Sequence, residues 1–140
     1  MFILDTDHIS LFQRNHPTVV ARISETPPDE LATTVITLEE QVRGRLDRVR
    51  KAKNNEEIVR AYKNLLATFL YFQSISVIGF SENAQLIFKN LRKQKVRIGT
   101  QDLRIAAIAL THNATIVTRN RQDFISIPLL KIEDWSLENV

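Results

Sequence analysis

Three features of this 140-residue chain predict an α/β fold, a three-layer α/β/α sandwich around a short, mainly parallel sheet. Short apolar runs alternate with segments of helical periodicity, and acidic residues fall where one pattern gives way to the next. Strands separated by helices pair in parallel through crossovers, which covers both faces of the sheet. The chain has no internal repeat, low-complexity tract or linker-like stretch, so residues 1–140 are expected to form one domain.

Met1 to Leu4 is an apolar run ended by Asp5-Thr6-Asp7, which reads as a buried strand, a turn and a helix from about His8 to Arg14. Pro17 and Thr18 open a second helix through Val19, Val20 and Ile23. Pro27-Pro28 breaks the pattern before Leu31 to Thr37, whose β-branched residues favour strand. From Leu38 the spacing is helical, with Leu38, Val42, Leu46 and Val49 recurring on one face. Asn54-Asn55 separates this helix from another carrying Ile58, Tyr62, Leu65, Leu66, Phe69 and Phe72, and the two are expected to form a hairpin.

Ile75 to Ile78 reads as a third strand, Ser81 as the N-cap of the next helix, and Ala84, Ile87, Phe88 and Leu91 as that helix's core face. Gly99 punctuates the chain. Thr100 is the expected N-cap of a helix ending near His112-Asn113, which places Asp102 in its first turn, at the positive end of the helix dipole. Thr115 to Val117 and Leu130 to Ile132 are the fourth and fifth strands.

A hydrophobic content of 44% suffices for a core without disulfides or structural metal. The absence of cysteine excludes a disulfide frame, thiolate zinc sites and cysteine nucleophiles, and fits a reducing compartment. No stretch reaches the roughly 18 apolar residues of a membrane span. Asp5 and Asp7 stand where a targeting segment would be basic, so a soluble cytoplasmic protein without a membrane partner is expected.

Nineteen basic against sixteen acidic residues give a net charge of only +3, so the distribution of charge matters more than its sum. Arg43, Arg45, Arg48, Arg50, Lys51, Lys53, Arg60 and Lys63 gather in one region, and Lys89, Arg92, Lys93, Lys95 and Arg97 in another. Each cluster fits a phosphate-backbone surface and also the plainer reading of a solvated helix face.

Four acids mark the pattern changes: Asp5 after the first strand, Glu40 after Val35-Ile36, Asp102 at a helix start, and Asp123 beyond the fourth strand. Carboxylates at strand ends and helix starts of an α/β fold converge on one rim of the sheet, which points to a divalent-metal site. Magnesium and manganese prefer hard oxygen ligands. Such a metal lowers the pKa of bound water, orients the nucleophile and neutralises charge on a phosphodiester.

Each acid also has a structural explanation: a favourable first-turn residue at Asp102, a solvated helix residue at Glu40, an Asx-type turn at Asp5-Thr6-Asp7. Their joint placement on one rim favours the metal reading. His8, His16 and His112 lack the spacing of a metal pair or an acyl-transfer triad and are assigned to structure. Trp135 and Phe124 are expected to pack the end of the sheet, and Phe69, Tyr71 and Phe72 to belong to the core or a dimer interface.

Several segments carry a family resemblance in order along the chain: Phe2-Ile3-Leu4-Asp5-Thr6-Asp7, Val35-Ile36-Thr37-Leu38-Glu39-Glu40 with Gly44 beyond, and Ile98-Gly99-Thr100-Gln101-Asp102-Leu103. Ile116-Val117-Thr118-Arg119-Asn120-Arg121-Gln122-Asp123-Phe124 and Ile132-Glu133-Asp134-Trp135 complete the set. Together they resemble PIN-domain ribonucleases of the VapC toxin type. The resemblance implies Asp5, Glu40 and Asp102 as metal ligands, with Glu40 preferred to Glu39 because the family's acid follows Thr-Leu-x. It further implies Thr118 as a hydroxyl that orients the site, and Asn120 where many relatives have a fourth acid; Asp7 stands where many have Asn.

The same resemblance implies Mg2+- or Mn2+-dependent endonucleolytic cleavage of structured RNA such as tRNA or rRNA, leaving a 5′-phosphate and a 3′-hydroxyl and stopping translation. It implies a homodimer and a cognate VapB-like antitoxin. Arg43, Arg45, Arg119 and Arg121 lie close in sequence to the implied ligands and are the candidate contacts to RNA or antitoxin. A catalytically degenerate module that binds RNA or protein is the alternative that Asn120 keeps open, against the intact Asp5, Glu40 and Asp102. A phosphoacceptor receiver domain also gathers acids at a parallel sheet's rim, but needs a Lys after a later strand; here Thr118 is followed by Arg119.

Overall fold

The computed structural model describes residues 1–138, so the last two residues of the expected 1–140 domain lie outside the described residues. Five strands, β1 (Phe2–Leu4), β2 (Leu31–Thr34), β3 (Ser76–Ile78), β4 (Thr115–Val117) and β5 (Lys131–Glu133), form one sheet in the order β3-β2-β1-β4-β5. All neighbours pair in parallel, so the sheet expected to be mainly parallel is wholly so among the described residues.

The order reverses at β1, whose neighbours are β2 on one side and β4 on the other. In open α/β sheets the crevice at such a reversal, beyond the carboxyl ends of the strands, is where ligands bind. Asp5 follows β1 and Thr118 follows β4, which places both at this point.

Successive side chains of a strand face opposite ways, and the two faces bury different clusters. Ile3, Ala32, Ile116 and Ile132 face a core shared with α5 (Glu82–Lys93) and α6 (Thr100–Thr111). Phe2, Leu4, Leu31 and Val117 face the other, shared with Ile9 of α1 (Thr6–Gln13), Phe72 of α4 (Asn55–Ser74) and Trp135. Helix α6 is the most buried: Leu103, Ile105, Ala106, Ala107 and Ile108 are all inaccessible to solvent. A helix apolar around most of its circumference is stable only inside a core.

Helix α2 (Pro17–Glu25) follows α1 and is capped by His16, whose Nδ1 accepts from the Val19 N–H at 3.3 Å. Helix α3 (Val35–Lys51) packs against α4 as the expected hairpin, and the Arg45 side chain donates to Thr68 Oγ1 across it at 2.9 Å. Ser81 caps α5 as the sequence predicts, and Asn54, read as part of a break between helices, caps α4. Phe72 is buried and Tyr71 half-buried, whereas Phe69 is exposed beside Val59, Tyr62, Leu66 and Leu70. Among the described residues, no helix is long and apolar enough to cross a membrane.

Several boundaries depart from expectation. The strand predicted over Leu31 to Thr37 stops at Thr34, because the Thr34 hydroxyl accepts from the Thr37 N–H at 3.2 Å and starts a helix there, which overrides the β preference of Val35-Ile36-Thr37. The N-cap of α6 is Gly99 rather than Thr100, whose hydroxyl instead accepts from Arg92. The fifth strand is shifted by one residue to Lys131–Glu133. A short helix α7 (Arg121–Phe124) and a 3₁₀ turn at Pro28–Glu30 lie where neither was expected, both too short to show periodicity.

Burial predicts different sensitivity in the sheet core and on the outer face of the hairpin. Ile3→Ala, at a fully buried position, should cost about 2–5 kcal/mol in urea unfolding, and Leu66→Ala on exposed α4 should stay within about 0.5 kcal/mol. Equal losses at the two positions would contradict this core assignment.

Candidate active site

Asp5 is held by the turn it creates. Its backbone N–H donates to the Val117 carbonyl at 3.1 Å, and its Oδ1 accepts the His8 N–H at 2.8 Å, so it caps α1. An extended backbone at φ −75°, ψ 174° and a carboxylate facing the first free N–H groups are what an N-cap requires. The residue is 6% exposed.

Because α3 starts at Val35, Glu40 lies in the second turn of a helix and not just beyond a strand. Neighbouring helical residues point about 100° apart, which separates the two adjacent glutamates. Glu40 turns toward α1, where Oε1 accepts the Thr6 hydroxyl at 2.8 Å. Glu39 turns toward α6 and solvent, accepting from Gln101 at 2.8 Å and Arg43 at 2.9 Å.

Asp102 occupies the first turn of α6 and senses the other acids. Its carboxyl is pushed up to about 6, first by burial and then by the charges of Asp5, Glu40 and Asp123, while the Asn120 side chain pulls the other way. Like charges brought together oppose ionisation, so this shift records carboxylates from α1, α3, α6 and α7 converging on one place.

Thr118 is fully buried; its N–H donates to the Glu133 carbonyl at 2.8 Å, and its hydroxyl oxygen accepts the Asn120 N–H at 2.9 Å. The Asn120 amide in turn donates to Asp123 Oδ2 at 2.9 Å. Asp123, one of the four acids at the pattern changes but outside the ligand set the resemblance implies, also acts on Asp102 by its charge. The sequence signal is weak: an acid three residues after Asn120, in the first turn of a four-residue helix.

Among the described residues, the tightest set of ligand-type atoms is Asp5, Asp7 and His8, all within 4.8 Å of one another. Two members are already committed. Arg119 grips both oxygens of Asp7, at 2.6 and 2.9 Å, and the two rings nitrogens of His8 face Asp5 and the Trp135 N–H. The Asp7 carboxylate holds the Arg119 guanidinium more firmly protonated than usual. His8, assigned to structure from its sequence spacing, is fully buried and lies against Asp5.

Asp5, Glu40, Asp102 and Asp123 offer oxygen donors only, and their mutual repulsion is the condition a hard dication relieves. They do not close as tightly as the Asp5, Asp7 and His8 set.

Of the expected RNA contacts, Arg119 is on Asp7, Arg43 is on Glu39, Arg45 is on Thr68, and Arg121 is exposed at the start of α7. A groove of about 560 Å³ begins at Thr6 and Glu40 and passes Arg14, Arg45 and Arg48. A second hollow of about 560 Å³ shares Arg45 and Arg48 and adds Lys51 and Arg60.

Fold and site together define a parallel α/β protein whose acids gather at the topological switch point. A family model described as the PIN domain matches residues 2–128, and the chain belongs to that family. It is 31% identical over 142 aligned residues to Ribonuclease VapC1 of Haemophilus influenzae (strain R2866), covering 97% of this chain and 98% of that protein. It is 25% identical over 138 residues to the tRNA(fMet)-specific endonuclease VapC of Salmonella typhimurium, covering 96% and 97%. The solved structure of VapBC-1 from nontypeable Haemophilus influenzae superposes with a TM-score of 0.78 at 28% identity, over 97% of this chain and 98% of that one.

The shift at Asp102 gives a pH signature in metal-free protein. Its carboxyl holds a proton up to about pH 6 when folded and to about 3.8 in its ordinary state. The stability it contributes is therefore full below the lower value and is lost as pH rises through the higher one. Thermal melts in EDTA should show a parent-minus-Asp102→Asn difference that falls across that window. Glu40→Gln, which removes one of the repelling charges, should lower its upper end; a flat difference would contradict the electrostatic account.

Proposed function

We propose that the chain is an endoribonuclease that depends on Mg2+ or Mn2+ and serves as the toxin of a VapBC-type toxin–antitoxin pair, with residues 1–140 working as one cytoplasmic domain. The observation that carries this reading is the convergence of Asp5, Glu40 and Asp123 on Asp102, whose pKa is raised first by burial and then by their charges. In this reading Asp5, Glu40 and Asp102 hold the ion. When bound, the ion supplies Lewis acidity and charge neutralisation at a phosphodiester.

The chain's own groups do the positioning. Thr6 fixes the Glu40 carboxylate, and Thr118 holds Asn120, which steadies Asp123 and faces Asp102. Water attacks phosphorus and the 3′ oxygen departs, leaving a 5′-phosphate and a 3′-hydroxyl. Arg43, Arg45, Arg119 and Arg121, close in sequence to these residues, are the cations this reading assigns to RNA phosphates. The grooves past Arg14, Arg48 and Arg60 give a structured RNA, tRNA or rRNA, a basic path away from the acids.

Partners follow from the relatives. The VapC relative from Salmonella is named for cleavage of a tRNA, and the similar solved structure is of a VapBC pair, which supports a VapB-like antitoxin here. The exposed apolar residues Val59, Tyr62, Leu66, Phe69 and Leu70 on α4 support a protein contact, in keeping with a homodimer.

Asp5→Asn and Asp102→Asn keep the side-chain shape, and asparagine remains a good N-cap at position 5. Both variants should fold, and both should lose RNA cleavage in magnesium and growth arrest on induction. EDTA should stop cleavage by the parent and added Mn2+ should restore it. Undiminished cutting by either folded variant, or by the metal-free parent, would reject the site. Mapping RNA ends after brief induction, with Asp5→Asn as control, identifies the substrate; a parent that binds RNA without new ends would favour the non-cleaving module.

A further inference from the structure

His8 is fully buried, and both of its ring nitrogens have work. Nδ1 lies 3.3 Å from Asp5 Oδ1, and Nε2 lies 3.2 Å from the backbone N of Trp135. A backbone N–H can only donate, so Nε2 presents its lone pair and the ring proton sits on Nδ1, directed at Asp5. Asp134 Oδ1, 3.6 Å from Nε2, is beyond hydrogen-bond reach and already accepts the Ser136 N–H at 2.8 Å and the Ser136 hydroxyl at 2.6 Å.

Asp5 Oδ1 is therefore held by two donors of one residue, the His8 N–H and the His8 ring. Among the described residues no hydrogen bond engages Asp5 Oδ2. Two donors on one oxygen fix both the rotamer and the plane of a carboxylate and leave its second oxygen to face a ligand. The backbone contact needs only the N-cap; the ring contact is additional to it.

We propose that His8 is a positioning residue of the metal centre: as an Nδ1–H imidazole braced by the Trp135 amide, it sets Asp5 for the cation. The segment after β5 thereby acts on metal affinity through one buried ring, although it supplies no ligand itself. The proposal rests on the reading of Asp5 as a metal ligand. His8 is not itself a ligand, because binding through either nitrogen would break one of its two contacts, and Asp7, which would complete such a site, is gripped by Arg119.

Two substitutions separate positioning from packing. In His8→Asn the amide nitrogen falls near the place of Nδ1 and keeps the donor to Asp5, while the acceptor for Trp135 is lost. In His8→Gln the amide oxygen reaches toward the Trp135 N–H, while the donor to Asp5 is lost. Calorimetric titration with Mn2+ should leave His8→Asn close to the parent and weaken binding by His8→Gln about 10- to 100-fold, the usual consequence of removing a partner of a metal ligand. A purely structural His8 would give the opposite order or none.

Asp5→Asn serves as the control. A parent that binds no Mn2+, or an Asp5→Asn variant that binds it as tightly, would overturn the metal reading and this proposal with it. Weakened binding by Asp5→Asn with parent-like binding by His8→Gln would overturn the proposal alone. Should a His8 variant not fold, the 15N resonances of His8 in the parent decide. A protonated Nδ1 and a bare Nε2, unchanged on adding Mg2+, are expected; a protonated Nε2, or a pattern that changes on adding Mg2+, would overturn it.

Discussion

Repulsion between carboxylates is the constraint around which this molecule is arranged. Asp5, Glu40, Asp102 and Asp123 come from separate stretches of the chain, and burial together with the charges of the other three raises the pKa of Asp102. They stay together because the elements carrying them cannot move apart. Asp5 is joined to central strand β1 and bonded to β4, Asp102 rides on α6, the most buried helix, and Glu40 projects from α3, whose first turn packs Ile36 into the core. Hydrophobic burial on both faces of the sheet holds the acids in place, and mounting a site on rigid elements keeps its geometry sharp.

Around that centre the other charged groups are sorted by direction. Glu39 and Glu40 are adjacent in sequence, yet one faces Gln101 and Arg43 and the other faces Thr6. Arg119 and Asp7 close a bidentate pair between the loop after β4 and the first turn of α1, beside the acids. Arg14, Arg45 and Arg48 line the groove that starts at Glu40. The result is an acidic floor with a basic approach, the polarity a phosphodiester substrate requires once a cation sits on the floor.

Much of this was legible in one dimension. Alternating apolar runs and helical spacings gave the strands of the sheet in order, and the first-turn position of Asp102 came from a helix whose periodicity is long enough to read. The β2–α3 boundary was not legible, because Val35-Ile36-Thr37 carries a β preference that a single hydroxyl cap at Thr34 defeats. Asp123 stands out in sequence as an acid beyond the fourth strand, but its bond to Asn120 within the four-residue α7 does not. The contacts of His8 are not legible in sequence, because its partners, Asp5 and the Trp135 amide, lie at opposite ends of the chain.

The order of residues alone determined the fold class, the family resemblance and the acids that fall at pattern changes, because periodicity and local capping are properties of near neighbours. Only the folded molecule decided which acids share a field, that Glu40 rather than Glu39 turns inward, and that a buried imidazole links Asp5 to the end of the last strand. Charge repulsion and hydrogen bonding act through a few ångströms of space. Which groups come that close is set by how the sheet brings distant stretches of chain side by side.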